Sequence, residues 1–353
     1  MFIIQARFLY INIYPMNKKV TILSIDGGGI RGIIPAVILN HIEKRLQRQS
    51  GNPNASLADY FDLMAGTSTG GILACYYLLP PTPLQQSHSR YFASEAIDMY
   101  AKHGKEIFNR KWLRFGVAKE KYPVTGLEKY LYHCMGDVTL AQSRKNCIIT
   151  AYDITERKAV FFTSPEARKN EHRNYLLRDV ARATSAAPTY FELAAIRSME
   201  RVESYLIDGA VYAGNPTMCA VVEANKSVYE TCVHPTVNDL YIVSVGTGKE
   251  KQKYNYLKAR TWGALGWVRP MIDILLSASA EVVDYQIRQL FKVAGCSDCY
   301  VRLEPDLGKA KPEMDDASDE NIRQLKNAGE SFVKDHIEEL DEIVHHLIEN
   351  NKQ

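Results

Sequence analysis

The chain has 353 residues, 46% of them hydrophobic, and its 43 basic and 41 acidic side chains leave a formal net charge of +2. That length allows one large α/β domain or two small ones, and the near balance of charge offers no broad basic field for nucleic acid. The seven cysteines are odd in number and scattered, which excludes a disulfide framework and suits a reducing compartment.

The first twenty residues, "MFIIQARFLYINIYPMNKKV", are apolar but interrupted by Arg7 and Pro15 and carry no small-residue cleavage site. They make a poor signal peptide and are too short to span a membrane. Residues 1–19 are therefore expected to be an N-terminal extension without fixed structure, with an ordinary cytosolic start near Met16. "VTILSI" (20–25) is a buried strand by its β-branched run, followed by "DGGGIRG" and a helix, "IPAVILNHIEKRLQRQ". Gly51 and Pro53 break that helix. Phe61 to Ala65 then reads as a short strand and Thr69 to Leu79 as a helix stopped by "PPTP". Residues 90–135 read as mostly helical with a break at Tyr122-Pro123, and "NCIITAYDIT" with "KAVFFTS" as a strand pair. "YLLRDVARATSAA" is a helix ending before Pro188. "SYLIDGAVYAGNP" and "LYIVSVGTG" are strands running into glycine turns. "MIDILLSASAEVVDYQIRQLF" is a long helix, with Pro270 suited to its first turn, and two more helices are expected from Ser318 to Glu349. Strands alternating with helices imply an α/β sheet covered on both faces.

Three glycine sites carry the chemistry. Ser68 lies in Gly66-x-Ser68-x-Gly70 at a strand-to-helix junction. A sharp elbow there needs small neighbours and presents the hydroxyl at a helix N-terminus. The plain alternative is an N-cap serine. The second site, Gly27-x-Gly29-x-x-Gly32, has the form of a dinucleotide-binding turn, but the acidic residue that motif needs after the second strand is missing, since Glu43 falls within a helix. The other use of such a turn is an oxyanion hole, with Gly27, Gly28, Gly29 and Gly32 giving the backbone close access to a carbonyl. Arg31 adds a cation beside it, whose ordinary role is a surface ion pair. Third, Asp208 precedes Gly209 and Ala210 at a strand end, where it is either a turn residue or a base projecting into a cleft.

In this order the blocks "ILSIDGGGIRGIIPAVIL", "LADYFDLMAGTSTGGILA", "RATSAAPTYF", "IDGA" and "LYIVSVGTG" resemble the patatin-like phospholipase family, in particular its bacterial acyl hydrolases. The resemblance implies a three-layer α/β/α sandwich with a mainly parallel central sheet and additional C-terminal helices. It divides the chain into a catalytic core at 20–220 and a remainder of the same domain at 221–353. It further implies a serine carboxylic-ester hydrolase working through a Ser68–Asp208 dyad and an acyl-enzyme, an oxyanion hole from the glycine turn, and Gly66, Gly70, Gly209 and Ala210 as supporting motif positions. No metal and no cofactor are expected: Cys296 and Cys299 form a lone C-x-x-C, and "DLGKAKPEMDDASDE" lacks the spacing of a calcium loop. The substrate expected is a phospholipid or another acyl-ester lipid. An acyltransferase, a signal-activated membrane-degrading effector and a non-catalytic nucleotide-binding module are the alternatives. The location expected is cytoplasmic, with membrane contact peripheral at most. Of the histidines after Asp208, His234 sits in a loop and His336, His345 and His346 on charged helices, so none is placed like a triad member. Trp262 and Trp267, before the long helix, are candidates for lipid contact, although that helix is expected first of all to bury its apolar face on the sheet.

Overall fold

The computed structural model describes residues 18–82, 89–108, 121–249 and 255–352. The expected extension lies outside the described residues as far as residue 17, as do residues 109–120 of the helical stretch. In chain order the elements are β1 (Val20–Ile25), α1 (Ile33–Ser50), α2 (Leu57–Tyr60), β2 (Leu63–Gly66), α3 (Thr69–Tyr77), α4 (Ala93–Ile107) and α5 (Thr125–Met135). Then follow β3 (Asn146–Asp153), β4 (Lys158–Thr163), α6 (Ser164–Ala167), α7 (Leu177–Thr184), β5 (Ala194–Arg197), β6 (Glu203–Asp208) and α8 (Thr217–Lys226). The chain continues through β7 (Leu240–Val245), α9 (Tyr256–Ala259), α10 (Ala264–Val293), β8 (Tyr300–Leu303), α11 (Asp319–Asp335) and α12 (Ile337–Lys352).

The strands form one mixed sheet in the order β5-β6-β3-β2-β1-β7-β8, with β4 also paired to β3. β1 is central and parallel to both β2 and β7, and β8 runs parallel to β7. Side chains alternate across the sheet as strand geometry requires. Leu23 and Ile25 of β1 pack with α1, α3 and α4 on one face, while Val20 and Ile22 pack with α8 and α10 on the other. This is the expected layered architecture. Strands from both sides of residue 220 build the same sheet. The C-terminal helices cover α1: Arg45 grips Asp341 through two bonds of 2.7 and 2.5 Å, and the Asn350 side chain bonds both the N–H and the carbonyl of Lys19.

The edge of β3 positions the rest. One side of it carries β4 along Ile148–Asp153. The other side is divided: β2 takes Asn146–Ile149 and β6, running antiparallel, takes Ala151–Asp153. The C-terminal ends of β2 and β6 therefore meet head-on at Thr150.

The structure departs from the sequence reading in a few places. β2 begins at Leu63 rather than Phe61, because the Asp62 N–H is bonded to the Thr21 carbonyl outside the ladder. α8 and the four-residue strands β5 and β8 lie outside the predicted elements; strands that short leave little periodic signal. α10 starts at Ala264, so Pro270 is inside the helix rather than in its first turn, and Gly266 has no Pro270 N–H to receive. No helix among the described residues is long and apolar enough to cross a membrane.

One buried carboxylate fastens α1 to α2 and to α4. Glu43 on α1 accepts the N–H of Leu57 at 3.1 Å and of Ala93 at 2.6 Å, the first residues of α2 and α4. Burial pushes its carboxyl up from about 4.5 to about 7, against the pull of those two N–H groups. The folded state thus holds the proton more tightly than the unfolded chain. The stability linked to this group is complete below pH 4.5 and is lost as pH rises through 7. Urea titrations at several pH values should show wild type losing ~1–3 kcal/mol between those limits relative to Glu43→Gln, which cannot titrate. Parallel pH profiles for the two proteins would contradict this.

Candidate active site

The serine elbow follows from β2 and α3 being joined by Thr67 and Ser68 alone. Ser68 is held at φ 54°, ψ −124°, a left-handed conformation that a residue with a side chain adopts only under strain. A Cβ on Gly66 would run into the Gly70 carbonyl, and one on Gly70 into the Ile25 carbonyl, so both positions admit only glycine. The strained turn is tied from outside. The Ser68 N–H donates to Thr184 Oγ1 (2.9 Å) at the end of α7, and Thr67 Oγ1 bonds the Ala213 carbonyl (2.6 Å) and Thr150 Oγ1 (2.7 Å).

Asp208 ends β6 on the opposite side of Thr150. It is 2% exposed, and its Oδ1 accepts the Ala210 N–H at 2.8 Å. Burial pushes its carboxyl up to about 7, while hydrogen bonds from the Ser68 hydroxyl and the Ala210 N–H act in the other direction. Gly209 lets β6 close on β3, since a Cβ there would strike Thr150.

The glycine turn follows β1. The Gly27 N–H donates to the Gly214 carbonyl (2.9 Å), its carbonyl accepts from Thr247 Oγ1 (2.7 Å), and the Ile30 N–H donates to the Met314 carbonyl (2.8 Å). Among the described residues the N–H groups of Gly28 and Gly29 have no such partner. Both glycines line a cavity of about 270 Å³ together with Ser68 and Asp208, and its remaining walls are mostly apolar: Ile72 from α3, Ile107 from α4, Leu127 from α5, Phe191 and Leu275 from α10. An apolar chamber with a buried carboxylate at its head is unsuited to a diphosphate.

Of the residues singled out from sequence, the structure brings Ser68, Asp208, Gly28, Gly29 and Ala210 to this cavity. It leaves Gly27, Arg31 and Gly32 off its lining. The Gly27 N–H is committed elsewhere, and Gly32 presses the turn against Thr69 and Tyr100. No described histidine lines the cavity: His234 turns Nδ1 to the Asn225 carbonyl (3.2 Å), and His336 and His346 stack on Phe332 and Tyr241. Sequence reasoning passed over Thr150, Thr184, Thr247 and Arg302. Thr184 stood in the "RATSAAPTYF" block and Thr247 in the "GTG" that follows β7.

The model of the patatin-like phospholipase family matches residues 23–221. The chain is 36% identical to patatin-like protein 2 of Oryza sativa over 94% of its own length and 88% of that protein. It is 34% identical to patatin-like protein 3 of Arabidopsis thaliana, over 90% and 81% of the two chains. It is 32% identical to patatin-2-Kuras 1 of Solanum tuberosum, over 90% and 87%.

The steric reading of the elbow has a direct test. Gly70→Ala should lower the unfolding free energy by ~3 kcal/mol or more, because the obstacle is rigid backbone of β1 rather than a movable side chain. Denaturant unfolding that shifts by less than about 1 kcal/mol would show that the elbow can relax.

Proposed function

Because the chain belongs to the patatin-like phospholipase family, we propose that it hydrolyses acyl-ester lipids through Ser68 as nucleophile and Asp208 as base. Supporting this is the convergence of the strained Ser68, the buried Asp208 and two uncommitted glycine N–H groups on one apolar cavity. Ser68 Oγ attacks the ester carbonyl as Asp208 takes its proton, and the N–H groups of Gly28 and Gly29 receive the oxyanion. The proton passes to the departing alcohol, leaving an acyl-serine. Water, deprotonated by Asp208, then releases the fatty acid. The apolar walls suit an acyl chain. On this reading residues 20–220 are the catalytic core and 221–353 the rest of the same domain, since β7 and β8 complete its sheet.

A base must be ionised to act. With the Asp208 carboxyl pushed up to about 7, kcat/KM should rise with pH through that value and level off above it. On a panel of phospholipids, galactolipids and p-nitrophenyl esters, Ser68→Ala should abolish turnover and Asp208→Asn should reduce it ~10²-fold or more, with His234→Ala close to wild type. Loss of activity in His234→Ala as deep as in Asp208→Asn would replace the dyad with a triad.

The peripheral membrane contact has support on α10. Its C-terminal half packs on the sheet through Ile287 and Phe291, as amphipathic helices usually do. Several described apolar side chains of its N-terminal half are exposed. Trp267 is 39% exposed and stands edge-on to Trp262 (5.0 Å between rings), while Met271 is 51% exposed and Leu275 is both exposed and part of the cavity wall. The apolar surface thus runs from the cavity out to solvent, where indole rings favour a lipid interface. Replacing Trp262 and Trp267 with Ala should weaken liposome binding and turnover of micellar lipid while sparing a short soluble ester. Equal losses on both substrates would assign the tryptophans to packing instead.

A further inference from the structure

The structure assigns to Arg302 the positioning of the two glycine N–H groups, through Asp26; this rests on the reading of Gly28 and Gly29 as oxyanion donors. The register of the sheet aligns Ser24 of β1, Ser244 of β7 and Arg302 of β8 in one row. From that row the Arg302 guanidinium reaches back across β7. Nη1 donates to Ser244 Oγ at 2.9 Å and to Asp26 Oδ1 at 3.0 Å, and Nη2 donates to Asp26 Oδ2 at 2.5 Å and to Glu304. The Arg302 and Asp26 side chains are 4% and 6% exposed. Burial opposes the charge on Arg302, but the Asp26 and Glu304 carboxylates outweigh it and hold the guanidinium protonated.

A buried ion pair is weak evidence for stability, because desolvation offsets most of its attraction. A planar fork on a carboxylate does supply direction. Asp26 is the last residue with a side chain before three glycines, whose backbone has no preference of its own. Its N–H is fixed to the Val245 carbonyl at 3.0 Å, and Arg302 fixes its carboxylate. The chain thus enters the glycines in one orientation, and the ties on Gly27 and Ile30 carry that orientation through to the Gly28 and Gly29 N–H groups. Arg302 touches no part of the cavity. Its loss should therefore appear in transition-state stabilisation and not in substrate binding.

The test compares wild type, Arg302→Lys, which keeps the charge but not the fork, and Asp26→Asn, which keeps the shape but not the charge. Hydrolysis of p-nitrophenyl butyrate is measured per active site titrated with a fluorophosphonate, alongside the melting temperature, and Ser68→Ala serves as the blank. Both variants should lose about 10–100-fold in kcat per titrated site with KM within about threefold of wild type, and the double variant Asp26→Asn, Arg302→Lys should lose no more than the worse single one. Variants whose kcat per titrated site stays within about threefold of wild type, whose loss lies in KM, or which lose only melting temperature and titratable sites overturn the inference while leaving the serine hydrolase reading intact. Wild type that cleaves no ester, or Ser68→Ala that cleaves as well as wild type, overturns that reading and this inference with it.

Discussion

The site depends on one edge of one strand. β3 is eight residues long and gives half of its inner edge to β2 and half to β6. Because β2 is parallel to β3 and β6 antiparallel, their C-terminal ends face each other across Thr150. Two turns, Gly66 to Ser68 and Asp208 to Ala210, are thereby forced into the same space. Glycines at 66, 70 and 209 are the consequence, since a Cβ at any of them would strike backbone or Thr150. Had β2 been two residues longer, it would have occupied the edge that Asp208 needs.

Around this junction the protein holds its turns by side-chain ties from elsewhere in the chain, because glycine-rich backbone cannot hold itself. Thr184 secures the Ser68 N–H, Thr150 and the Ala213 carbonyl secure Thr67, and Thr247 secures the Gly27 carbonyl. Each tie satisfies a buried polar group that would otherwise lack a partner. Among the described residues the N–H groups of Gly28 and Gly29 have no such tie, and both glycines line the cavity.

The two buried aspartates near the turns meet different partners. Asp208 accepts from the Ser68 hydroxyl and the Ala210 N–H, and burial carries its carboxyl to about 7. Burial pushes Asp26 up as well, to about 6, against the pull of the guanidinium forked onto it. The guanidinium fork fixes the orientation of Asp26.

The sequence by itself determined the local chemistry: which segments are buried strands, where glycine permits a sharp turn, and which serine and aspartate stand at strand ends. These follow from patterns of a few residues, with periods of 2 and 3.6 and the conformational freedom of glycine, and they sufficed to mark Ser68, Asp208 and the Gly27–Gly32 turn. Only the tertiary structure decided that β2 and β6 share an edge of β3, since strand pairing depends on contacts distant in sequence. It alone separated Gly28 and Gly29, which line the cavity, from Gly27, whose N–H is spent on Gly214. It alone brought Arg302 to Asp26, because a four-residue strand far along the chain carries no local mark of the neighbour it will find. It also showed α10 packing on the sheet through Ile287 and Phe291 while Trp267, Met271 and Leu275 stay exposed, for an apolar stripe is the same in sequence whether a sheet or solvent meets it.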